Sequence, residues 1–329
     1  MLDKIVVTGA TGFAGSHILD SFGDDENVIA SCRDRKKLPS IYQVFAIVGD
    51  LQDLDYIEKL TQKADIICHA ASWAEMNGKV SDSKEKFLNP TIELIDKAVS
   101  NGVKRFIFLS SISSKPIEEN RLHSKLKLSD IWAHYDSIMK IESYLKGIDS
   151  DMEVIILRVG FFTGKNYALG LLPILLPRLK THLVPWIQNG HTSLPLIDGK
   201  DVGLAFKLAS KVVLKERFTI IDIVGKDIPT AKEVFTYLHD RYHYPLPHFS
   251  VSFSFAYIFA RLMRIVHKVI PTDPLIVPAI VLLLEETHAN NNLAKNLLGY
   301  EPKIDWKDSI DTQIAEMKIR QTTNLRMNK

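Results

Sequence analysis

The hydrophobic pattern of the first half of the chain predicts strands that are buried on both faces. Short runs rich in Val and Ile recur there, and they read KIVVTG, NVIASC, YQVFAIVGD, ADIICHA, RFIFLSS and EVIILRVG. Because these runs are apolar throughout and do not alternate, they are typical of parallel strands covered by helices on both sides. Helical patterns lie between them, at residues 13–22, 54–62, 83–101 and 131–146.

This succession of strands and helices predicts an α/β fold, a Rossmann-type doubly wound parallel sheet with right-handed crossovers. After Val159 the pattern changes: Gly and Pro interrupt the apolar runs, one further strand reads FTIIDIVG, and the chain from Thr230 is mostly helical. We therefore predict a nucleotide-binding domain at 1–165 that takes back 194–225, a smaller, mostly helical C-terminal substrate domain at 166–193 and 226–318, and a loose tail at 319–329.

Composition and charge narrow the class of protein. The chain has 329 residues, of which 46% are hydrophobic, so it can bury a large core. The 41 Lys and Arg residues nearly balance 39 Asp and Glu residues, and a net charge of +2 gives no reason to expect a nucleic-acid partner.

The cysteines and the apolar runs bear on the compartment. Cys32 and Cys68 both lie inside apolar runs, so we expect buried thiols in a reducing, cytoplasmic setting. The start MLDKIVVTG lacks the features of a signal peptide. The longest apolar run has ten residues, at 275–284, and is too short to span a membrane.

The stretch TGATGFAG places three glycines between the first strand and the first helix. Gly9 permits a tight turn, Gly12 lets backbone amides approach a pyrophosphate, and Gly15 permits close packing of helix on strand. A turn that binds nothing would use the same glycines, but here they open a series of strand–helix units. The sequence therefore predicts a dinucleotide site, with contacts from Gly9, Thr11, Gly12, Phe13, Ala14 and Gly15.

The end of the second strand bears on the choice of cofactor. Cys32 and Arg33 stand where a protein that selects NAD usually has an acidic residue. The guanidinium of Arg33 suits a 2′-phosphate, so we expect NADP and give NAD second place; a solvated basic loop is the alternative interpretation. We expect no metal. Further cofactor contacts are expected from Asp50, Leu51, Ala70, Ala71, Ser110, Gly160 and Phe161.

In their order these segments resemble the extended short-chain dehydrogenase/reductase superfamily, of the epimerase/dehydratase type that also includes hydroxysteroid dehydrogenases. The blocks that carry the resemblance are TGATGFAG, VGDL, ICHAAS, NPTIELIDKAVSNGVKRFIFLSS, LRVGFFTG, LIDGKDVGLA and AKNLLGYEPKIDW. The resemblance implies a Rossmann-type NAD(P) domain, a small substrate domain and hydride chemistry at the nicotinamide. It also implies a site made of a Ser or Thr after the fifth strand and a Tyr-x-x-x-Lys pair, whose lysine contacts the nicotinamide ribose.

On this resemblance Ser111 matches the serine, and Lys140 matches the lysine because Glu142 and the turn after it fit the family's helix. The tyrosine position then falls on Asp136, and Tyr135 stands one residue early. On a regular helix Tyr135 would lie about 140° from Lys140. Either a π-bulge restores Tyr135 as the acid/base, or Asp136 and Lys140 form an ordinary ion pair. We expect a catalytic set of Ser111, Tyr135 and Lys140, with Asp136 as the alternative to the tyrosine.

The second half of the chain is poor in residues that would clamp a nucleotide sugar. It is instead rich in apolar side chains, among them Phe161, Phe162, Leu171, Leu172, Pro185 and Trp186. We therefore expect hydride transfer between NADP(H) and a carbonyl or alcohol of an apolar or aromatic small molecule. The open alternatives are a nucleotide-sugar epimerase or dehydratase and a non-catalytic NADP(H)-binding sensor or scaffold. The sequence also leaves a homodimer open.

The segment FSFAYIFARLMRIVHKVI pairs an aromatic and aliphatic face with Arg261, Arg264 and Lys268. Such a helix fits the surface of a membrane. A core-facing helix with a basic outer face explains the same pattern, and we favour that interpretation over peripheral membrane contact.

Overall fold

The computed structural model describes residues 2–25, 27–76, 78–115, 131–166, 170–269 and 276–327. Side chains are described as far as residue 266 in the fifth of these ranges and as far as residue 320 in the last. The side chain of Lys268, singled out above, therefore lies outside the described part.

Seven parallel strands form the main sheet, and two short parallel pairs lie beside it. The strands are β1 (Ile5–Thr8), β2 (Val28–Cys32), β3 (Ile47–Val48), β4 (Ile66–His69), β5 (Arg105–Ser111), β6 (Glu153–Val159), β7 (Phe161–Thr163), β8 (Trp186–Ile187), β9 (Leu196–Asp198), β10 (Phe218–Ile223) and β11 (Ser250–Val251). The order in the main sheet is β10-β6-β5-β4-β1-β2-β3, while β7 pairs with β9 and β8 with β11. The predicted doubly wound fold is confirmed.

The helices follow the strands in regular alternation through the first half. They are α1 (Phe13–Phe22), α2 (Ser40–Gln43), α3 (Leu54–Thr61), α4 (Val80–Ser83), α5 (Asn89–Ser100), α6 (Ala133–Gly147), α7 (Leu171–Leu179), α8 (Gly199–Lys211), α9 (Ala231–Tyr242), α10 (Phe253–Val269), α11 (Pro278–Leu283), α12 (Asn292–Leu298) and α13 (Trp306–Met327). A π-helical turn, Lys84–Leu88, joins α4 to α5.

Successive side chains of each central strand point to opposite faces of the sheet. Because both faces are buried, the apolar runs are unbroken. In β1, Val7 packs into a cluster with Ile18 of α1 and Phe206 of α8. Val6 packs on the other face, in a cluster with Leu94 of α5 and Ile141 of α6. Both valines are fully buried. The sheet is therefore covered on both sides, as its sequence pattern requires.

The second half of the chain builds two further apolar clusters at the carboxyl ends of the strands. One joins α7, α9 and the first turns of α13, around Leu176, Val234 and Ile310. The other joins the start of α6 to α10 and α11, around Tyr135, Tyr257 and Val281. Strand β10, from the segment predicted to return, lies at the edge of the main sheet beside β6. The domain boundaries themselves stay a prediction.

Three elements differ from the expected pattern. The long apolar run before Gly49 yields only the two residues of β3, because Ser40–Gln43 is helical. The helix expected over 83–101 carries the π-helical turn in its first part. Helix α13 continues to Met327, so the tail expected to be loose from 319 has helical backbone, as happens when an established helix propagates through residues without an apolar face.

Candidate functional site

The glycine loop closes tightly over the end of β4. Gly9 has a φ of +65°, and a Cβ atom on it would lie 2.7 Å from the Cα atom of Ala71. A Cβ atom on Gly15 would lie 2.1 Å from the carbonyl oxygen of Gly9. Both positions therefore exclude larger residues. Gly15 acts through this packing, since it does not line the cleft that the loop borders.

Helix α1 points its N-terminus into that cleft. Gly12 is the N-cap residue, and no side chain caps the helix. The uncapped end carries partial positive charge, which favours a phosphate group. A Cβ atom on Gly12 would meet only the Gly9 carbonyl oxygen, at 3.2 Å, so a ligand can approach the backbone closely on the other side.

The cleft has a volume of about 1540 Å³ and runs from the glycine loop into the second half of the chain. Most of the residues expected to contact a cofactor line it. They are Gly9, Thr11, Gly12, Phe13, Ala14, Arg33, Asp50, Leu51, Ala70, Ala71, Ser110, Gly160 and Phe161. Lys140, which was also expected there, does not.

One end of the cleft is bordered by the carboxyl ends of β2 and β3. The Arg33 side chain is 83% exposed, and its Nη1 atom lies 4.0 Å from Oδ2 of Asp50. The neighbouring Asp34 is engaged elsewhere, because its carboxylate accepts from the backbone N–H of Lys36. Arg33 is thus the cation at this edge that is placed to meet an anionic group of a ligand.

His69, at the end of β4, fixes the floor of the cleft. Its Nδ1 atom lies 2.8 Å from Oγ1 of Thr8, and its Nε2 atom lies 3.1 Å from Oγ1 of Thr91. Complete burial lowers the pKa of His69 to about 3, so the ring is neutral at physiological pH. Sequence reasoning missed this residue, although its position in the ICHAAS block was visible.

The expected catalytic pair on α6 is not brought together. Helix α6 is α-helical throughout, so the π-bulge that would have rescued Tyr135 is absent from it. Tyr135 is fully buried in the cluster with α10, and its hydroxyl donates to the carbonyl oxygen of Ser113. It does not line the cleft. The assignment of Tyr135 as the acid/base therefore has no support in the geometry.

Asp136 and Lys140 form the ordinary ion pair that was the alternative interpretation. Nζ of Lys140 lies 2.6 Å from Oδ2 of Asp136, and the lysine side chain is 56% exposed. Neither residue lines the cleft. Asp136 is therefore no substitute for the tyrosine, and Lys140 is not placed to hold a ribose.

The residues of α6 that do line the cleft are His134 and Ile138, four positions apart on one face of the helix. These two residues thus face the cleft, whereas the resemblance placed the tyrosine and lysine positions at Asp136 and Lys140. The structure brings neither Tyr135 nor Asp136 nor Lys140 to the cleft, so their predicted catalytic roles gain no support from the geometry. Periodicity alone shows which residues share a face, but not which face meets the cleft.

His134 is a buried imidazole with unused hydrogen-bonding capacity. Its Nδ1 atom has no hydrogen-bond partner among the residues that the structure describes. The ring packs against Phe87 and Trp132, with centroids 5.0 and 5.1 Å away. Burial lowers the pKa of His134 to about 4, although its contact with the Trp73 backbone acts in the opposite direction. The ring is therefore neutral at pH 7.

Glu142 sets the rotation of α6 against the sheet. It is buried, and its Oε2 atom lies 2.6 Å from Nη2 of Arg158 on β6. The hydroxyl of Ser114 donates to Oε1 at 2.6 Å, and the hydroxyl of Ser110 donates to the same atom. Ser110 thus has a structural role in addition to lining the cleft. Because Glu142 points at β6, His134, two turns earlier, is held at the cleft.

Ser111 borders the cleft where β5 ends. It is the N-cap residue of the short 3₁₀ turn Ile112–Ser114, and its Oγ atom accepts from the backbone N–H of Ser113 at 3.3 Å. With His134 it provides polar side-chain atoms at this part of the cleft.

Beyond Ser111 the cleft becomes an apolar chamber. Phe161, Phe162, Leu171, Pro185 and Trp186 line it as expected, whereas Leu172 is buried in the cluster with α9 and α13. Arg178 is the cation that lines this chamber among the described residues from 160 onward. The chamber therefore suits a ligand that is mostly apolar.

The comparisons with known proteins agree with this geometry. A family model described as NAD(P)H-binding matches residues 9–171. The chain is 29% identical over 169 residues to UDP-glucose 4-epimerase of Vibrio cholerae, covering 48% of this chain and 51% of the epimerase. It is 29% identical over 120 residues to 3 beta-hydroxysteroid dehydrogenase/Delta 5-->4-isomerase of Mycobacterium tuberculosis, covering 34% of this chain and 32% of that protein. The matches thus span about half and about a third of these relatives.

The likeness of fold extends over nearly the whole chain. The structure of UDP-glucose 4-epimerase from Thermotoga maritima with UDP-glucose superposes with a TM-score of 0.70 at 17% identity, covering 96% of this chain and 99% of that one. With the glycine loop and the uncapped helix, the matched segment shows an NAD(P)-binding, Rossmann-type chain that is similar to epimerases and dehydrogenases of the extended short-chain dehydrogenase/reductase type.

Proposed function

We propose that the protein transfers a hydride between NADP(H), bound in the cleft, and a carbonyl or alcohol carbon of an apolar substrate. The observation that carries the proposal is the junction of the cleft, where Ser111 and His134 lie between the nucleotide half and the apolar chamber. A hydride acceptor in the chamber would have its oxygen beside these two polar groups.

The residues present fit the cofactor. The tight turn at Gly9 and the uncapped N-terminus of α1 leave the backbone open to a pyrophosphate. The guanidinium of Arg33 suits a 2′-phosphate. When bound, NADP(H) would supply hydride transfer at its nicotinamide. An Arg33→Ala variant should lose affinity for NADPH but not for NADH, by calorimetry. Equal affinity of the wild type for the two cofactors would contradict the choice of NADP.

The chain's own contribution to the chemistry is to orient the substrate oxygen and to exchange a proton with it. The neutral ring of His134 keeps the lone pair of Nδ1 free to accept the hydroxyl proton of an alcohol as its hydride leaves, and Ser111 can donate its hydroxyl to the same oxygen. Burial keeps water away from the reacting groups. Ile138 offers no charge, so no cation on this face of α6 assists the proton transfer.

His134→Gln tests this role, with Tyr135→Phe as the matched control on the adjacent position of α6. Under NADPH oxidation with a panel of apolar ketones, His134→Gln should lower turnover roughly 100-fold, the lower end of general-acid effects. NADPH affinity should change little in either variant, and Tyr135→Phe should retain turnover. Equal turnover of His134→Gln and wild type would remove His134 from the reaction.

A second candidate, an NADP(H)-binding sensor without catalysis, is favoured by Ile138 and by the burial of Tyr135. The same panel separates the two. Tight NADPH binding without turnover of any carbonyl would favour the sensor over the oxidoreductase. Turnover of nucleotide sugars alone would instead support the alternative of a nucleotide-sugar epimerase, to which the chain is similar. It would refute the proposal of an apolar substrate.

A further inference from the structure

Helix α10 exposes an apolar stripe. Ile258 and Leu262 are 59% and 55% exposed, and Phe255, Phe259, Ile265 and Val266 are exposed beside them. At about 100° per residue these six positions lie within an arc of roughly 120°. The stripe is therefore one continuous surface along most of the helix.

The opposite face of α10 holds the helix on the protein. Ala256, Tyr257 and Ala260 are buried there, in the cluster that contains Tyr135 and Val281. A core-facing helix with a basic outer face, the interpretation favoured from the sequence, accounts for this buried face but not for the exposed one. The outer face is mainly apolar, with Arg261 at its margin.

The stripe continues into the mouth of the cleft. Phe255 and Phe259 line the cleft as well as the stripe. Leu183 and Phe249, both exposed, line the mouth beside them. The exposed apolar surface and the apolar chamber are thus parts of one connected surface, which we call the apolar rim.

Two long segments that contribute to the apolar rim lack carboxylates. No Asp or Glu occurs between Glu153 and Asp198, or between Asp240 and Asp273. The first of these segments contributes Arg178 and Lys180, and the second contributes Arg261 and Arg264. Lys180 lies over the ring of Tyr244, 5.6 Å from its centroid, so the two segments meet. Since the whole chain carries a net charge of only +2, positive charge is concentrated here.

We propose that the apolar rim docks onto an anionic lipid bilayer, with α10 lying in the headgroup plane. An apolar stripe flanked by arginine matches the chemistry of such a surface. A second copy of the chain would bring the same positively charged segments together, which disfavours a dimer at this face. Across the described residues, no helix is long and apolar enough to cross a membrane, so the contact would be peripheral.

The docking does not depend on the proposed reaction. One consequence does rest on it: an apolar substrate could pass from the bilayer into the chamber without crossing water, because the mouth would face the lipid.

Vesicle flotation tests the docking. The full-length protein should float with vesicles of phosphatidylglycerol and phosphatidylcholine, and much less with phosphatidylcholine alone. The double variant Ile258→Asn/Leu262→Asn should lower the partition coefficient by at least roughly tenfold, since each side chain loses its apolar burial. Arg261→Gln should lower it by roughly fivefold at low salt, the value of one surface charge. Val213→Asn, which changes an 88% exposed apolar residue elsewhere, is the matched control and should bind like the wild type.

A labelling experiment gives an independent readout. Cys32 and Cys68 are free and buried, so an introduced surface cysteine can be labelled selectively. A polarity-sensitive dye at Ile258→Cys should shift to the blue with anionic vesicles, while the dye at Val213→Cys should not. Absence of both flotation and dye shift would overturn the proposal. So would a concentration-dependent dimer, seen by sedimentation, that the double variant abolishes while vesicles have no effect.

Discussion

The buried pair of Glu142 and Arg158 makes a quantitative prediction about stability. Glu142→Leu would remove the partner of Arg158, whose guanidinium lies 2.6 Å away and is almost fully buried. Breaking such a pair from one side costs about 3–5 kcal/mol, because an uncompensated charge stays buried. The hydroxyls of Ser110 and Ser114 would also lose their shared acceptor. We expect the free energy of unfolding to fall by about 4 kcal/mol.

The pair as such contributes much less than this value. Replacing both partners, as in Glu142→Leu/Arg158→Met, removes the buried charges together, and this change is often close to neutral in other proteins. We therefore expect the double variant to recover at least about half of the stability lost by Glu142→Leu, apart from the cost at the two serines.

Urea unfolding followed by circular dichroism measures both effects, provided that the denaturant slopes of the variants agree. Glu142→Leu should also weaken ligand binding in the cleft, since α6 loses the contact that sets its rotation. A loss below about 1 kcal/mol in Glu142→Leu would refute the reasoning, and so would a double variant less stable than that single one.

Three further predictions concern other parts of the site. Tyr135→Phe should lower the free energy of unfolding by about 1–3 kcal/mol, measured by urea unfolding, because a buried carbonyl loses its donor. Gly9→Ala should abolish NADPH binding in calorimetry, since the loop must shift to relieve a 2.7 Å approach at a φ of +65°; unchanged affinity would contradict the tight-loop argument. His69 and His134 have pKa values lowered by burial to about 3 and about 4, so their stabilising contribution is complete above the unfolded pKa near 6.5 and is lost as pH falls. For each of the two histidines, the free energy of unfolding should fall by about 2 kcal/mol when the pH is lowered from 7 to 5. His134→Gln should roughly halve the loss of stability that the wild type shows between these two pH values.

The sequence predicted most of what depends on local pattern. The buried strands and the glycine loop follow from apolar runs and from the steric demands at Gly9 and Gly15. Cofactor contacts were expected from residues at the ends of strands, among them Ala70 and Ser110, and these residues line the cleft. These features are local, so they can be read along the chain.

The identity of the cleft-facing pair on α6 could not be predicted in the same way. The spacing in the sequence groups Asp136 with Lys140 and His134 with Ile138, but either pair could have met the cleft. Glu142 determines which face of α6 meets the cleft, and its partner Arg158 lies on β6. The exposed stripe on α10 posed a related problem, because an apolar face predicts burial without saying what buries it.

The separation between the anchor of α6 and its cleft face has a consequence for how this protein can change. Glu142 holds the helix from a buried position, and His134 and Ile138 project from other positions of the same rigid element. Substitutions at the two cleft positions therefore need not disturb the frame that orients them. Different reacting groups can be introduced at these two positions while Glu142 keeps the helix in place. A new chemistry is therefore accessible by two substitutions rather than by a new fold.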